Sequence, residues 1–402
     1  MDNMKTVLVS KSSEANRLLI KIAGDYIAEE VIRSEGAREM HLNKDEVIFD
    51  LGATALGEIN NDIVALIAVL SFHPAFPEEA FVLQFDFPVS DNVQKALHRP
   101  NILPLVTISS PRQGEPFKPV RDMVISYGGG FDSLAAHLLF PEAPLVHESP
   151  LGDYSDIVND IVPDLSDQAW VVKDNMRTLF SIWGLPLWVS VFASSLLFSP
   201  RYIISGSEMT GTYLNGGKAY FPRHRNRWYE VFRAIGVDVL PTSFLSEIGN
   251  ARVVKAHGRI EDAAYCTFIR MKDCGKCSKC LRRRAIRAML DENEQSLLDD
   301  FTRSDGIDDF LKVRPLYYGD VFIHAVGSNS RPSWLKENLS GLIDANASLD
   351  FHEHYYLEVF EHFSYPEHLA ERAKEGLHAI GMMPFRSEDI DAFQNFKQNS
   401  ES

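Results

Sequence analysis

The four cysteines of this 402-residue chain lie together, as Cys266 and then Cys274-Gly-Lys-Cys277-Ser-Lys-Cys280. Four thiolates at these spacings can close a tetrahedral site of the kind zinc takes, and a site filled by protein ligands is structural. An iron-sulfur cluster would use the same donors. A disulfide framework would scatter its cysteines, so the clustering points to a reducing compartment, and the cytoplasm is expected. A second group of residues invites an anion. The apolar run Met123 to Tyr127 leads into Gly128-Gly129-Gly130-Phe131-Asp132-Ser133, and Leu134 to Leu139 continues as a helix. Glycines let backbone N–H groups approach a ligand, and a helix N-terminus favours negative charge, so phosphate is the natural guest. No Gly-Lys-Ser/Thr closes the turn, and its spacing is not G-x-G-x-x-G.

Other groups could complete a site. Ser205-Gly206-Ser207-Glu208 ends a predicted strand, which puts Ser207 and Glu208 on the rim of the glycine turn. They would bind ribose, adenine or substrate there, or form an ordinary strand-to-helix turn. Arg223 and Arg225 sit in a local cationic patch of an acidic chain, and guanidinium forks suit carboxylate and phosphate oxygens. A solvated patch is the alternative. The run Lys279, Arg282, Arg283, Arg284 and Arg287 could grip nucleic acid or an anionic tail; a salt-bridged solvent face is the expectation. His352, His354, His362 and His368 lack the H-E-x-x-H register and read as a polar helix surface.

These residues must be positioned by a fold, and the pattern says which. With 45% hydrophobic and 24% charged residues the chain is globular and long enough for two or three domains. The net charge of -16 opposes binding to nucleic acid. Strands are expected at Met123 to Tyr127, Pro144 to Glu148, Trp170 to Val172, Tyr202 to Ser205 and Val237 to Leu240. Each gap is long enough for a crossover helix, which argues for an α/β fold with a doubly wound parallel sheet. Ligands of such sheets bind at the carboxyl ends of the strands.

Residues 1–118 read as an N-terminal α+β domain with strands at Thr6 to Val9, Val47 to Asp50 and Phe81 to Phe87 and a helix at Asp62 to Phe72. The proline-rich stretch Ser110 to Pro119 reads as a linker, and 119–298 follows as the α/β domain. Residues 299–402 read as a mostly helical extension, with helices at Leu335 to Leu342, Phe351 to Phe363 and Glu367 to Ile380 and a frayed end after Gln394. The N-terminus lacks the apolar run of a signal peptide. Thr178 to Pro200 carries no charged side chain and reads as a buried helix starting near Pro186 rather than a membrane span. A homodimer is compatible with all of this.

The loop resembles the S-G-G-x-D-S signature of the PP-loop ATP pyrophosphatases, with Gly128 in place of the first serine. That resemblance implies the HUP-like (adenine nucleotide alpha hydrolase-like) sheet, ATP as cofactor and magnesium with it. It also implies that Gly129, Gly130 and Ser133 hold pyrophosphate, that Asp132 organises the loop or its Mg2+, and that Gly128 and Phe131 complete the turn. Arg223 or Arg225 would then supply the cation that related loops draw from a lysine. Over residues 122–290 the layout is similar to the 7-cyano-7-deazaguanine synthase (QueC) family. There the cysteines bind Zn2+, and a carboxylate is adenylated before amidation and dehydration to a nitrile. The layout also resembles the ATP-dependent glutamate epimerase MurL, through the added N-terminal domain, G-G-G-x-D-S and C-G-x-C-x-x-C. The implied activity is adenylation of a small-molecule carboxylate with release of pyrophosphate, followed by amidation or nitrile formation. Epimerisation through an acyl adenylate is the alternative. A zinc-knuckle protein that binds or modifies RNA, and a nucleotide sensor without catalysis, are readings of other classes.

Overall fold

The computed structural model describes residues 5–14, 16–24, 33–35, 38–54, 57–77, 79–99, 102–152, 157–181, 187–213, 227–263, 266, 274, 277–291, 293–294, 319–327 and 349–399. The N-terminal half contributes β1 (Lys5–Glu14), β2 (Arg17–Ala23), the small hairpin β3 (Arg33–Glu35) and β4 (Arg38–Met40), and β5 (Glu46–Asp50). Helix α1 (Asn61–Phe72) follows, its first turn capped by the Asn60 side chain, which accepts from the Asp62 N–H. Then come β6 (Phe81–Phe85), α2 (Asp91–Leu97) and β7 (Val106–Ser109).

The second half alternates as the apolar runs require. It runs β8 (Arg121–Ser126), α3 (Phe131–Leu139), β9 (Leu145–Pro150), α4 (Ile157–Leu165), β10 (Ala169–Asp174), α5 (Leu187–Leu196) and β11 (Pro200–Ser205). Short α6 (Met209–Tyr213), α7 (Arg227–Ile235), β12 (Asp238–Pro241), α8 (Glu247–Ala256) and α9 (Ser278–Leu290) complete it. All five expected strands are present, and all five run parallel in the order β12-β11-β8-β9-β10. Their neighbours' side chains alternate between two cores. Ile125, Leu145, Ile204 and Leu240 face α3, α8 and α9, whereas Val124, Val146, Ile203 and Val239 face α1, α5 and α7. Helices on both faces bury the central runs 123–126, 145–149 and 202–205, which is why these runs are mostly apolar instead of alternating.

The sheet does not stop at β10. It continues through β5, β2, β1, β6 and β7, giving ten strands, and the direction changes where β10 meets β5 antiparallel through Lys173↔Asp50 and Asp174↔Phe49. The fold is therefore α/β around one mostly parallel, mixed sheet. From β8 the chain first winds outward through β9 and β10, then returns to the other side of β8 with β11. The strand order reverses between β8 and β11, the place where open α/β sheets part to make a crevice.

Three expectations differ from the structure. Phe351 to Phe363 is not one helix: a 3-10 turn at Asp350–Glu353 and a short helix at Glu358–His362 are separated by extended backbone at His354 and a bridge between Tyr355 and Pro384. Among the described residues the chain is still helical beyond Gln394, where a frayed end was expected, since the helix runs from Ser387 to Asn399. The histidines do not form one polar surface, since His352 has no exposure at all. The helix within Thr178 to Pro200 is α5, ten residues long. No helix among the described residues is long and apolar enough to cross a membrane. Pro186 and the expected helix at Leu335 to Leu342 lie outside the described residues.

Candidate anion site and metal centre

The glycine turn lies where the strand order reverses. β8 ends at Ser126, Gly129 takes φ +76, a conformation that suits glycine, and α3 begins at Phe131 with Gly130 as its N-cap. Ser133 braces the turn from inside, accepting from the Gly128 N–H at 3.2 Å and donating to the Gly130 carbonyl at 3.3 Å. The end of β11 closes against it. A Cβ built on Gly206 would stand 2.6 Å from the Ser133 nitrogen, so only glycine permits this approach. Ser207 is half-buried beside it, its hydroxyl 3.0 Å from that of Ser205. Glu208 is buried and accepts from the Gly211 N–H at 2.6 Å, which makes it a cap for α6.

Asp132 is the charged centre of the turn. Its carboxylate accepts from the Asn250 side chain of α8 at 3.3 Å. Burial, and then the neighbouring Glu247, push its carboxyl up to about 7, opposed by the cations Lys279, Arg282 and Arg283. Those cations come from α9. Arg282 pairs with Glu247, both nearly inaccessible at 6% and 5% exposed. The Arg283 guanidinium lies 5.3 Å from the centre of the Phe131 ring and is itself buried. Arg287 pairs with Glu261 and Glu294. The expected salt-bridged solvent face therefore applies to Arg287, whereas Arg282 and Arg283 turn inward toward the glycine turn. Arg223 and Arg225 lie outside the described residues.

The same helix starts in the cysteine cluster. Cys277 caps α9, its sulfur accepting from the Cys280 N–H at 3.4 Å. The Cys266 and Cys277 sulfurs are 3.8 Å apart, those of Cys274 and Cys280 are 3.6 Å apart, and all four lie within 4.8 Å of one another. Zinc-sulfur bonds of about 2.3 Å imply a tetrahedral edge of about 3.8 Å, so the four sulfurs can hold a metal ion as they stand. The hydrogen bonds among these thiols, from Cys280 first, pull Cys277 down to about 5, which favours the thiolate a metal needs.

A second buried polar group adjoins the site. Thr210 of α6 donates to Asp320, on the helix Gly319–Gly327, and burial raises Asp320 to about 6. The His352 ring lies 3.8 Å from the Asp320 carboxylate, and burial holds its pKa well below the usual value, so it is neutral. Sequence reasoning missed Glu247, Asn250 and Asp320, because single acidic and amide residues far along the chain carry no local signal. A cleft of about 800 Å³ lined by Arg121, Pro144, Gln168, His368 and Arg372 opens at the opposite edge, where β8, β9 and β10 begin, and is remote from the glycine turn.

A family model described as a family of unknown function (DUF6395) matches residues 227–397, less than half of the chain. The match takes in the four cysteines, α8, α9, Asp320 and His352, and begins after the glycine turn. No curated protein and no solved structure matches the chain.

Proposed function

We propose that the chain is an ATP-dependent enzyme that adenylates a small-molecule carboxylate and releases pyrophosphate, with amidation or nitrile formation as the following step. The observation that carries this reading is the Gly128–Gly130 turn, set at the N-terminus of α3 where the strand order reverses. Backbone N–H groups at such a place favour phosphate oxygens, and the dipole of α3 adds to that preference. Gly129 and Gly130 would hold the pyrophosphate portion of ATP, Ser133 would keep the turn in shape, and Asp132 would orient the loop or a Mg2+ ion. Magnesium, when bound with the nucleotide, neutralises charge that develops on the departing pyrophosphate. Ser207, on the adjoining rim, is available to the nucleoside or the carboxylate. Zinc suits the four sulfurs, and with no open position its role is structural.

The inward turn of Arg282 and Arg283 favours a small anionic ligand over RNA, since a helix that tracks a nucleic-acid backbone presents its cations to solvent. The test is a screen of candidate carboxylates with ATP, Mg2+ and ammonia, reading pyrophosphate and AMP. Carboxylate-dependent pyrophosphate that disappears in Asp132→Ala is the expected result, and mass or stereochemical analysis of the product separates amidation from epimerisation. ATP converted to ADP and phosphate would reject the reading.

A further inference from the structure

β8 is six residues long, but its ladder to β9 covers only Ile125↔Leu145 and Ser126↔Val146. The ladder stops at Pro144. Hydrogen-bond direction alternates along a strand, and the Ile125 N–H donates to the Pro144 carbonyl, so the Met123 N–H and C=O point to that same side. In a parallel ladder the residue at position 144 would return an N–H to the Met123 C=O, and proline has none. Ala143 turns away instead, donating to the Phe140 carbonyl. The Met123 backbone is thus left without a partner among the described residues, a short open edge inside the sheet. Outer strand β7 is treated differently, since the Ile108 N–H there donates to the Gln94 side chain at 2.8 Å.

The cleft of about 800 Å³ opens at this step, lined by Asp122 and Met123 of β8, by Pro144, and by Arg372 and Glu375 of the helix Glu367–Ala379. Its arginines are engaged. Arg372 pairs with Glu142, and the Arg121 guanidinium lies 4.7 Å from the centre of the Trp170 ring. Asp122 and Glu375 are exposed and have no ion pair among the described residues, so the uncommitted charge of the cleft is negative.

We propose that this step is a docking site for an extended peptide segment that adds as a short strand beside β8 and carries a lysine or arginine. Its backbone supplies a C=O to the Met123 N–H and an N–H to the Met123 C=O, and its cation meets Asp122 and Glu375. The net charge of -16 draws such a segment toward the chain. The cleft is remote from the glycine turn, so this site stands or falls apart from the nucleotide reading.

Hydrogen exchange of the full-length protein, resolved to single amides, comes first. The Met123 N–H should exchange faster than those of Val124 and Ile125, and equal protection would overturn the open edge. A fluorescently labelled, amidated pentapeptide of valine and threonine with a central lysine is then titrated by anisotropy. Saturable binding that protects the Met123 amide is expected. N-methylation of the peptide backbone should weaken it about tenfold, as losing a hydrogen bond does. Glutamate in place of the lysine, or Asp122→Asn combined with Glu375→Gln in the protein, should weaken it severalfold and flatten its salt dependence. No binding to the wild type, or binding indifferent to N-methylation, would overturn the docking site. Binding indifferent to both charge changes would overturn the cationic partner. A wild type that dimerises through this edge, with the Met123 amide protected only at high protein concentration, would seat a second copy here in place of a peptide and overturn the assignment.

Discussion

Gly206 and Ser133 belong to different βα turns, yet a methyl group on Gly206 would meet the Ser133 nitrogen at 2.6 Å and its Cα at 2.9 Å. Neither atom is the end of a flexible side chain, so the two turns interlock through backbone. Gly206→Ala is therefore expected to cost about 1–3 kcal/mol, as overpacking does, and, on the proposed nucleotide reading, to weaken ATP binding by shifting α3 away from β11. Gly128 behaves differently, because a Cβ there meets nothing within 4 Å. Gly128→Ser should melt like the wild type. Thermal unfolding of the two variants, with ATP titration of each, checks the contrast; a Gly206→Ala protein of unchanged stability would contradict the interlock.

The cysteine centre predicts one metal per chain by elemental analysis. Cobalt substitution should give the intense visible bands of a tetrahedral thiolate site, and Cys274→Ser should lose both the bands and the metal. Chelation should lower the melting temperature, because binding energy at such a site is folding energy. An oxidised, metal-free protein with paired cysteines and an unaltered melt would refute this.

Asp132 makes stability depend on pH with a definite sign. Its carboxyl ordinarily titrates at 3.8, and burial raises it in the folded protein to about 7. The folded state thus binds more protons than the unfolded one between about pH 4 and pH 7, so the contribution is fully present below pH 4 and is lost as pH rises toward 7. Asp132→Asn removes this term. The wild type should lose stability relative to the variant as pH rises across that window, by up to about 4 kcal/mol. His324 and His352, both held below their usual range by burial, act in the opposite direction as pH falls, but they are common to both proteins and cancel in the difference. Denaturant unfolding of the pair at several pH values provides the measurement, and parallel profiles would argue against a raised Asp132.

Much of this site was legible from residue type and spacing. The β8 run, the three glycines and the following helix announce a strand, turn and helix within one short contiguous stretch of chain, and the cysteine spacing announces its own cluster. The join of β10 to β5 was not legible, because pairing Asp174 with Phe49 across so long a stretch leaves no local trace. The inward direction of Arg282 and Arg283 was hidden for the same reason. Arginines at helical spacing read as a solvent face until Glu247 and Asp132, from other elements, are brought beside them. His352 repeats the lesson, since its neighbour Asp320 comes from a separate helix.

The buried pair of Glu247 and Arg282 gives the last prediction. Both side chains are almost wholly removed from water, so removing one leaves the other's charge without its partner. Glu247→Ala should cost about 3–5 kcal/mol, as breaking buried pairs does. The double substitution Glu247→Leu with Arg282→Met takes both charges away and keeps much of the volume, so it should be less destabilising than either change alone. Glu247 also raises the Asp132 carboxyl, and in Glu247→Gln that carboxyl should titrate lower than in the wild type. The two readouts are independent: a urea denaturation cycle measures the pair, and the pH profile of Glu247→Gln measures its reach to the glycine turn. Additive losses in the cycle would mean that Glu247 and Arg282 do not depend on each other, and the charge arrangement described around Asp132 would have to be abandoned.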